Sequence, residues 1–129
     1  MVTDVNLRVV LAVGAIGATT ACASGPDTRP ETADYIIEAI LVPSCGRAAC
    51  HSSETRAHNL AFDTIDAAIA ALKTQQRGQP LVTPGSPASS ELITILTSSA
   101  RIMPPDAPLA QADIDLITNW IAAGAEGLE

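Results

Sequence analysis

The feature that most constrains this 129-residue chain is the segment CGRAACH, which runs from Cys45 to His51. It holds two of the three cysteines, and the second is followed directly by one of the two histidines. The signature for covalent haem attachment is C-x-x-C-H. Here the spacer is four residues, so haem attachment requires that two extra residues bulge outward while Cys45 and Cys50 both reach the porphyrin.

The same residues are open to two other interpretations. In an exported protein, Cys45 and Cys50 could form a disulfide. With His51 and His58 they could instead bind zinc, which structural sites hold with four such ligands. Adjacent ligands at Cys50 and His51 are awkward for a tetrahedron, which makes zinc the weaker of these alternatives.

The N-terminal residues predict export. Residues 9–20 are apolar but too short for a bilayer-spanning helix, which needs ~20 residues, and they fit the core of a signal peptide. Residues 19–22 (TTAC) resemble the lipobox of bacterial lipoproteins. That resemblance implies a signal peptide at 1–21, lipidation of Cys22 and anchoring on the periplasmic side of a membrane. Ala23 favours the outer membrane over the inner. An ordinary signal peptide cleaved near Ala21 or Ala23 and an uncleaved anchor are the alternatives.

The charge and the aromatic content narrow the class of protein further. The formal net charge of −7 argues against nucleic-acid binding, because phosphate contacts need clustered Lys and Arg. The chain has one Phe, one Tyr and one Trp, so a domain this small has little with which to fill its core. A bound non-protein group would complete that core. Redox protein partners and the oligomeric state are not readable from the sequence.

The periodicity of apolar residues predicts an all-α domain. Residues 22–31 are rich in Pro, Gly and polar residues and predict a flexible tether, followed by one domain over residues 32–126. Apolar stripes predict four helices. The first covers residues 32–42 and should be stopped by Pro43, and the second covers residues 65–73. The third begins at Pro87, with Ser86 as its N-cap, and the fourth covers residues 110–123. Long loops join them, and no segment predicts a sheet. In the loop over residues 52–63, Leu60 and Phe62 should point inward.

Met103 is the candidate for a second axial ligand. It is the only methionine besides Met1 and lies in a loop, residues 98–108, with three prolines. A thioether paired with His raises the potential of haem iron, whereas the plainer interpretation is core packing. His58 is a second possible ligand, although a position on the surface or beside a propionate is the favoured interpretation. Trp120 and Tyr35 are expected to pack between the first and last helices, and Arg101 is expected to lie solvated in its loop. A haem propionate is the alternative partner for the Trp120 indole N–H and for the Arg101 guanidinium.

Five motifs in order resemble a class I cytochrome c domain, in particular the short exported cytochrome c-like domains of bacteria. They are CGRAACH at 45–51, HNLAFD at 58–63, PGSPASSEL at 84–92, MPP at 103–105 and WIAAGA at 120–125. The resemblance covers residues 33–125. It implies one covalent haem c held by Cys45 and Cys50, with His51 as the proximal and Met103 as the distal iron ligand. The four-residue spacer and His58, where this family often has Gly, depart from the pattern.

The resulting prediction is a cytochrome c-like fold of about four short helices around haem. The implied function is that of an exported, mono-haem electron carrier and not an enzyme. Two alternatives stay open. One is a haem domain with an open distal site that binds small ligands or reacts with peroxide. The other is a haem-free lipoprotein that is stapled by a disulfide and acts as a binding module.

Overall fold

Four helices and the loops between them make up residues 25–129, the part of the chain that the computed structural model describes. This architecture agrees with the predicted mostly helical fold. The predictions for residues 1–21 and for lipidation of Cys22 lie outside the described residues. Across the described range, the helices are too short or too polar to span a bilayer.

Helix α1 comprises an α-helical stretch, Ala33–Ile36, a π-helical stretch, Ile37–Leu41, and a second α-helical stretch, Val42–Cys45. The hydroxyl of Thr32 accepts a hydrogen bond from the backbone N–H of Tyr35 and caps its start. The predicted apolar stripe is confirmed, because Ile36, Ile37, Ile40 and Leu41 are all buried.

The prediction that Pro43 stops this helix was wrong. In a regular α-helix the proline ring clashes with the carbonyl one turn earlier and removes a donor. Here a wider π turn precedes it, in which the N–H of Val42 donates to the carbonyl of Ile37. Pro43 then lies in the first turn of the next stretch, where a missing N–H is tolerated. The helix therefore continues to Cys45 and carries the first cysteine on its last turn.

The next helices are α2, Ile65–Leu72, α3, Glu91–Thr97, and α4, Gln111–Ala122. The predictions for α2 and α4 are confirmed to within one residue at each end. Gly124 follows α4 with a φ of +112°, a left-handed conformation that suits a glycine after a helix. The loop prediction is also confirmed, since Leu60 and Phe62 are both buried.

The helix predicted from Pro87 is confirmed at its start but not as one continuous element. Residues Pro87–Ser89 form a separate 3-10 turn with Ser86 at the N-cap position, and α3 begins only at Glu91. The buried hydroxyl of Ser90 accepts from the N–H of Thr83 at 2.8 Å and donates to the carbonyl of Ser86 at 2.9 Å. These bonds tie Ser90 to the preceding loop, so the chain bends there.

A small hairpin, absent from the all-α prediction, lies in the loop after α2. Strands β1, Gln75–Gln76, and β2, Gln79–Pro80, pair antiparallel. The turn residues Arg77 and Gly78 both have positive φ, +55° and +81°, the conformation of the two-residue turns that favour hairpins. The hairpin places Arg77 beside the cavity described below.

The core draws buried side chains from all four helices and from the loops between them. Trp120 is fully buried within it, as predicted, and Tyr35 packs against it. The indole N–H of Trp120 donates to the carbonyl of Glu126 at 3.0 Å. The suggestion that this N–H meets a haem propionate was therefore wrong, because the C-terminal segment already accepts it.

Arg29 connects the segment before α1 to the start of α4. Its guanidinium forms ion pairs with Asp27 and Asp113 and donates to the carbonyl of Ala112 at 2.9 Å. The chain therefore enters the domain beside the N-terminal end of α4.

Candidate functional site

Two adjoining cavities, of about 320 and about 50 Å³, lie between the CGRAACH loop and the Met103 loop. The smaller cavity is lined by all four residues that the sequence predicts to hold haem: Cys45, Cys50, His51 and Met103. His51 and Met103 line the larger cavity as well. The fold therefore gathers residues up to 58 positions apart in the chain around one cleft.

The walls of the cleft are mostly apolar and come from several parts of the chain. The residues that line both cavities are His51, Leu60, Leu81, Ile95, Met103 and Pro105. Phe62, Leu92 and Leu96 add to the wall of the smaller cavity. A concave, largely apolar site with a few converging polar groups is the usual form of a cofactor pocket.

The four-residue spacer folds into a turn that keeps the two cysteines at the same cavity. The N–H of Cys50 donates to the carbonyl of Arg47 at 2.8 Å, and the N–H of His51 donates to the carbonyl of Cys45 at 3.2 Å. The second bond closes the loop directly across the spacer. The additional residues relative to C-x-x-C-H are thus absorbed in an exposed turn, with Arg47, Ala48 and Ala49 exposed to solvent.

The ring of His51 has a fixed orientation and a defined tautomer. Its Nδ1 lies 2.8 Å from the carbonyl oxygen of Ala57, and because a carbonyl only accepts, Nδ1 carries the proton. The lone pair of Nε2 is then free to bind a metal. The ring of Phe62 packs edge-on against His51, with the ring centroids 5.8 Å apart.

Gly46 allows the cysteine loop to lie against the backbone after Leu60. A Cβ at this position would come within 2.5 Å of the carbonyl oxygen of Phe62 and 2.8 Å of the Cα of Asp63. The N–H of Phe62 in turn donates to the carbonyl of His51 at 2.6 Å. The close approach at Gly46 and this hydrogen bond together define where His51 stands.

Met103 is half-buried on the opposite loop. Its N–H donates to the carbonyl of Ile95 on α3 at 2.9 Å. Pro104 and Pro105 follow it and line the smaller cavity. The hydrogen bond to α3 and the two prolines restrict the backbone at Met103, so its thioether is attached to a rigid part of the cavity wall.

The thiols of Cys45 and Cys50 are both free in this structure, so the disulfide alternative finds no support in it. Burial, and secondarily the neighbouring Cys50, raises the pKa of the Cys45 thiol to about 11. The zinc alternative is also unsupported, because residues 25–129 contain no cluster of three or more His, Cys, Asp or Glu able to hold a metal ion.

Besides His51, six polar residues line the larger cavity. They are His58, Gln76, Arg77, Glu91, Ser99 and Arg101. His58 is exposed and has a positive φ of +56°, and Arg101 is exposed as well. His58 and Arg101 were candidates from the sequence, whereas Gln76, Arg77, Glu91 and Ser99 were not. Glu91 lies four residues before Ile95, on the apolar face of α3. A charged residue at an apolar position is the sequence signal by which Glu91 could have been found.

The residues present fit a haem. A thiol pair, an imidazole with a free Nε2 and a thioether are the donor set of a covalently attached haem with His and Met ligands. They line a cleft whose larger part has a volume within the range of small-molecule and cofactor pockets. The cationic side chains of Arg77 and Arg101, which line the larger cavity, suit the carboxylates that such a group carries.

A comparison with protein families gives a match over the part of the chain that holds most of this cleft. The family model of planctomycete cytochrome C matches residues 48–107, just under half of the chain. The match supports a cytochrome c-like domain and, with it, a haem cofactor. It spans Cys50, His51 and Met103 and begins after Cys45. Comparison with curated proteins and with solved structures found no match.

Proposed function

We propose that this protein is an exported mono-haem c-type cytochrome that carries single electrons. Cys45 and Cys50 hold one haem c through thioether bonds, and His51 and Met103 are its axial iron ligands. The proposal includes lipid anchoring through Cys22 on the periplasmic side of a membrane, with the outer membrane favoured.

The observation that carries the proposal is the shared cavity of the four residues. Cys45 lies at the end of α1, and Cys50 and His51 follow the spacer turn. Met103 lies on a separate loop that is hydrogen-bonded to α3. All four residues nevertheless line one cleft. The match to planctomycete cytochrome C over residues 48–107 supports the same class of protein independently of the cavity.

A bound haem supplies one-electron chemistry of iron between Fe(III) and Fe(II). The chain contributes the environment. The carbonyl of Ala57 holds the Nδ1 proton of His51 and so keeps Nε2 available as a ligand. The rigid Met103 loop presents a soft sulfur donor, which together with His favours the reduced iron. The mostly apolar walls lower the polarity around both ligands, which is one of the means by which a protein tunes haem iron.

The proposal is tested by expressing the full chain with a cytochrome maturation system and recording the pyridine haemochrome spectrum of the denatured protein. We expect a c-type α band that survives acid–acetone extraction. The double variant Cys45→Ala/Cys50→Ala should lose the haem absorbance that resists extraction. The control Ser44→Ala, which changes a neighbouring residue that also lines the smaller cavity, should keep it. A colourless wild-type protein with Cys45 and Cys50 oxidised would refute the proposal and favour the stapled binding module.

The ligands are tested separately by the absorption spectrum of the haem-loaded protein. A six-coordinate low-spin spectrum agrees with ligation by His51 and Met103. A five-coordinate spectrum in the wild-type protein would show an open distal site and favour the small-ligand or peroxide-reactive alternative.

A further inference from the structure

Glu91 is the one carboxylate that lines the cleft, and it is unusually buried for a charged side chain. Only 10% of its side chain is exposed. Its cationic partner is Arg77, whose guanidinium lies 3.9 Å from the Glu91 carboxylate and whose side chain is 47% exposed. A contact this long and this exposed offsets little of the charge.

The Glu91 carboxylate faces the cleft from the wall that also carries Met103. Glu91 lies one turn before Ile95 on α3, and residues four apart share one face of a helix. The carbonyl of Ile95 accepts the N–H of Met103. All three residues line the larger cavity, so Glu91 lies on the Met103 side of the site.

We propose that Glu91 is an electrostatic determinant of the reduction potential of the site and lowers that potential. The inference rests on the proposed function. When iron passes from Fe(III) to Fe(II), the site gains one electron and no bond is made or broken. A carboxylate in a wall shielded from water opposes this gain more strongly than an exposed one, because its charge is less screened. Arg77 acts in the opposite sense, more weakly, because solvent reaches it.

The test measures the reduction potential of the haem-loaded full chain by spectroelectrochemical titration at pH 7 and low ionic strength. Glu91→Gln removes the charge with little change of shape, and Arg77→Gln removes the partner. Glu38→Gln is the matched control, because Glu38 is an exposed acid on α1 that does not line the cleft. Thermal unfolding is followed for each variant.

We expect Glu91→Gln to shift the Fe(III)/Fe(II) equilibrium toward Fe(II) by about tenfold, which corresponds to about 59 mV for one electron. Arg77→Gln should shift it toward Fe(III) by roughly threefold, and Glu38→Gln should shift it toward Fe(II) by less than about twofold, since solvent screens both charges more strongly. A purely structural role of Glu91 would lower the unfolding temperature and leave the potential unchanged.

A shift for Glu91→Gln no larger than that of Glu38→Gln overturns the inference while the proposed function stands. If Glu91→Gln does not mature, Glu91→Met decides, because it also removes the charge at nearly the same side-chain length, and an unchanged potential in that variant also overturns the inference. A wild-type chain without covalent haem overturns the inference together with the proposed function.

Discussion

Replacement of Gly46 by alanine tests whether the close approach of the cysteine loop to the Phe62 backbone positions His51. The added Cβ would lie 2.5 Å from the carbonyl oxygen of Phe62 and 2.8 Å from two further backbone atoms, the carbonyl carbon of Phe62 and the Cα of Asp63. Backbone atoms cannot rotate away as a flexible side chain can, so the two segments must separate.

Overpacking of this kind costs typically about 1–3 kcal/mol, and we expect Gly46→Ala to lie near the upper end because all three nearest atoms belong to the backbone. For a domain of this size, such a loss lowers the melting temperature by roughly 10 °C. Separation would also lengthen the 2.6 Å hydrogen bond from Phe62 to His51. The imidazole of His51 should therefore move from its position in the cleft as the protein loses stability.

The assay is urea unfolding of the haem-free chain, together with the absorption spectrum of the haem-loaded chain. Gly25→Ala is the matched control, because a Cβ at Gly25 meets no atom within 4 Å. We expect Gly25→Ala to leave the free energy of unfolding within about 0.5 kcal/mol of wild type, as for ordinary surface substitutions. An equally small effect of Gly46→Ala, with an unchanged spectrum, would refute the role assigned to this contact.

Two further predictions concern the other site residues. Met103→Ala should lower the reduction potential and open the iron to added ligands, because the thioether that favours Fe(II) is removed; an unchanged potential and absorption spectrum would exclude Met103 as a ligand. In the haem-free chain, the raised pKa of Cys45, about 11, means that folding favours the protonated thiol. The free energy of unfolding should therefore fall as the pH rises from about 9 to about 11. At pH 9, iodoacetamide should label Cys45 more slowly in the folded chain than in the chain unfolded by urea. Equal labelling rates in the two states would contradict the burial of this thiol.

Much of the candidate site was open to prediction because its chemistry is local in the chain. Cys50 and His51 are neighbours, and Cys45 is close enough that a turn brings it to the same cavity. Met103 was singled out by its rarity and its prolines. The residues missed, Glu91 and Arg77, are distant from these motifs and reach the cavity only through the packing of α3 and the hairpin.

The wrong predictions share a physical cause. Pro43 and Pro87 were interpreted by local propensity, which is a weak prior that tertiary context overrides. A π turn before Pro43 accommodates the proline ring. The hydrogen bonds of the buried Ser90 hydroxyl separate the 3-10 turn that begins at Pro87 from α3. The indole N–H of Trp120 was assigned to a ligand, whereas the folded C-terminal segment supplies the carbonyl of Glu126.

The sequence by itself determined the helical class, the positions of α2 and α4, the buried stripe of α1 and the donor types of the site, because apolar periodicity and motif spacing depend on neighbours along the chain. Only the tertiary structure decided where α1 ends and where α3 begins, which nitrogen of His51 is free, and which charges line the cleft. These features depend on contacts between segments far apart in sequence, such as His51 with Phe62 and Ile95 with Met103. Such contacts form only when the whole domain folds.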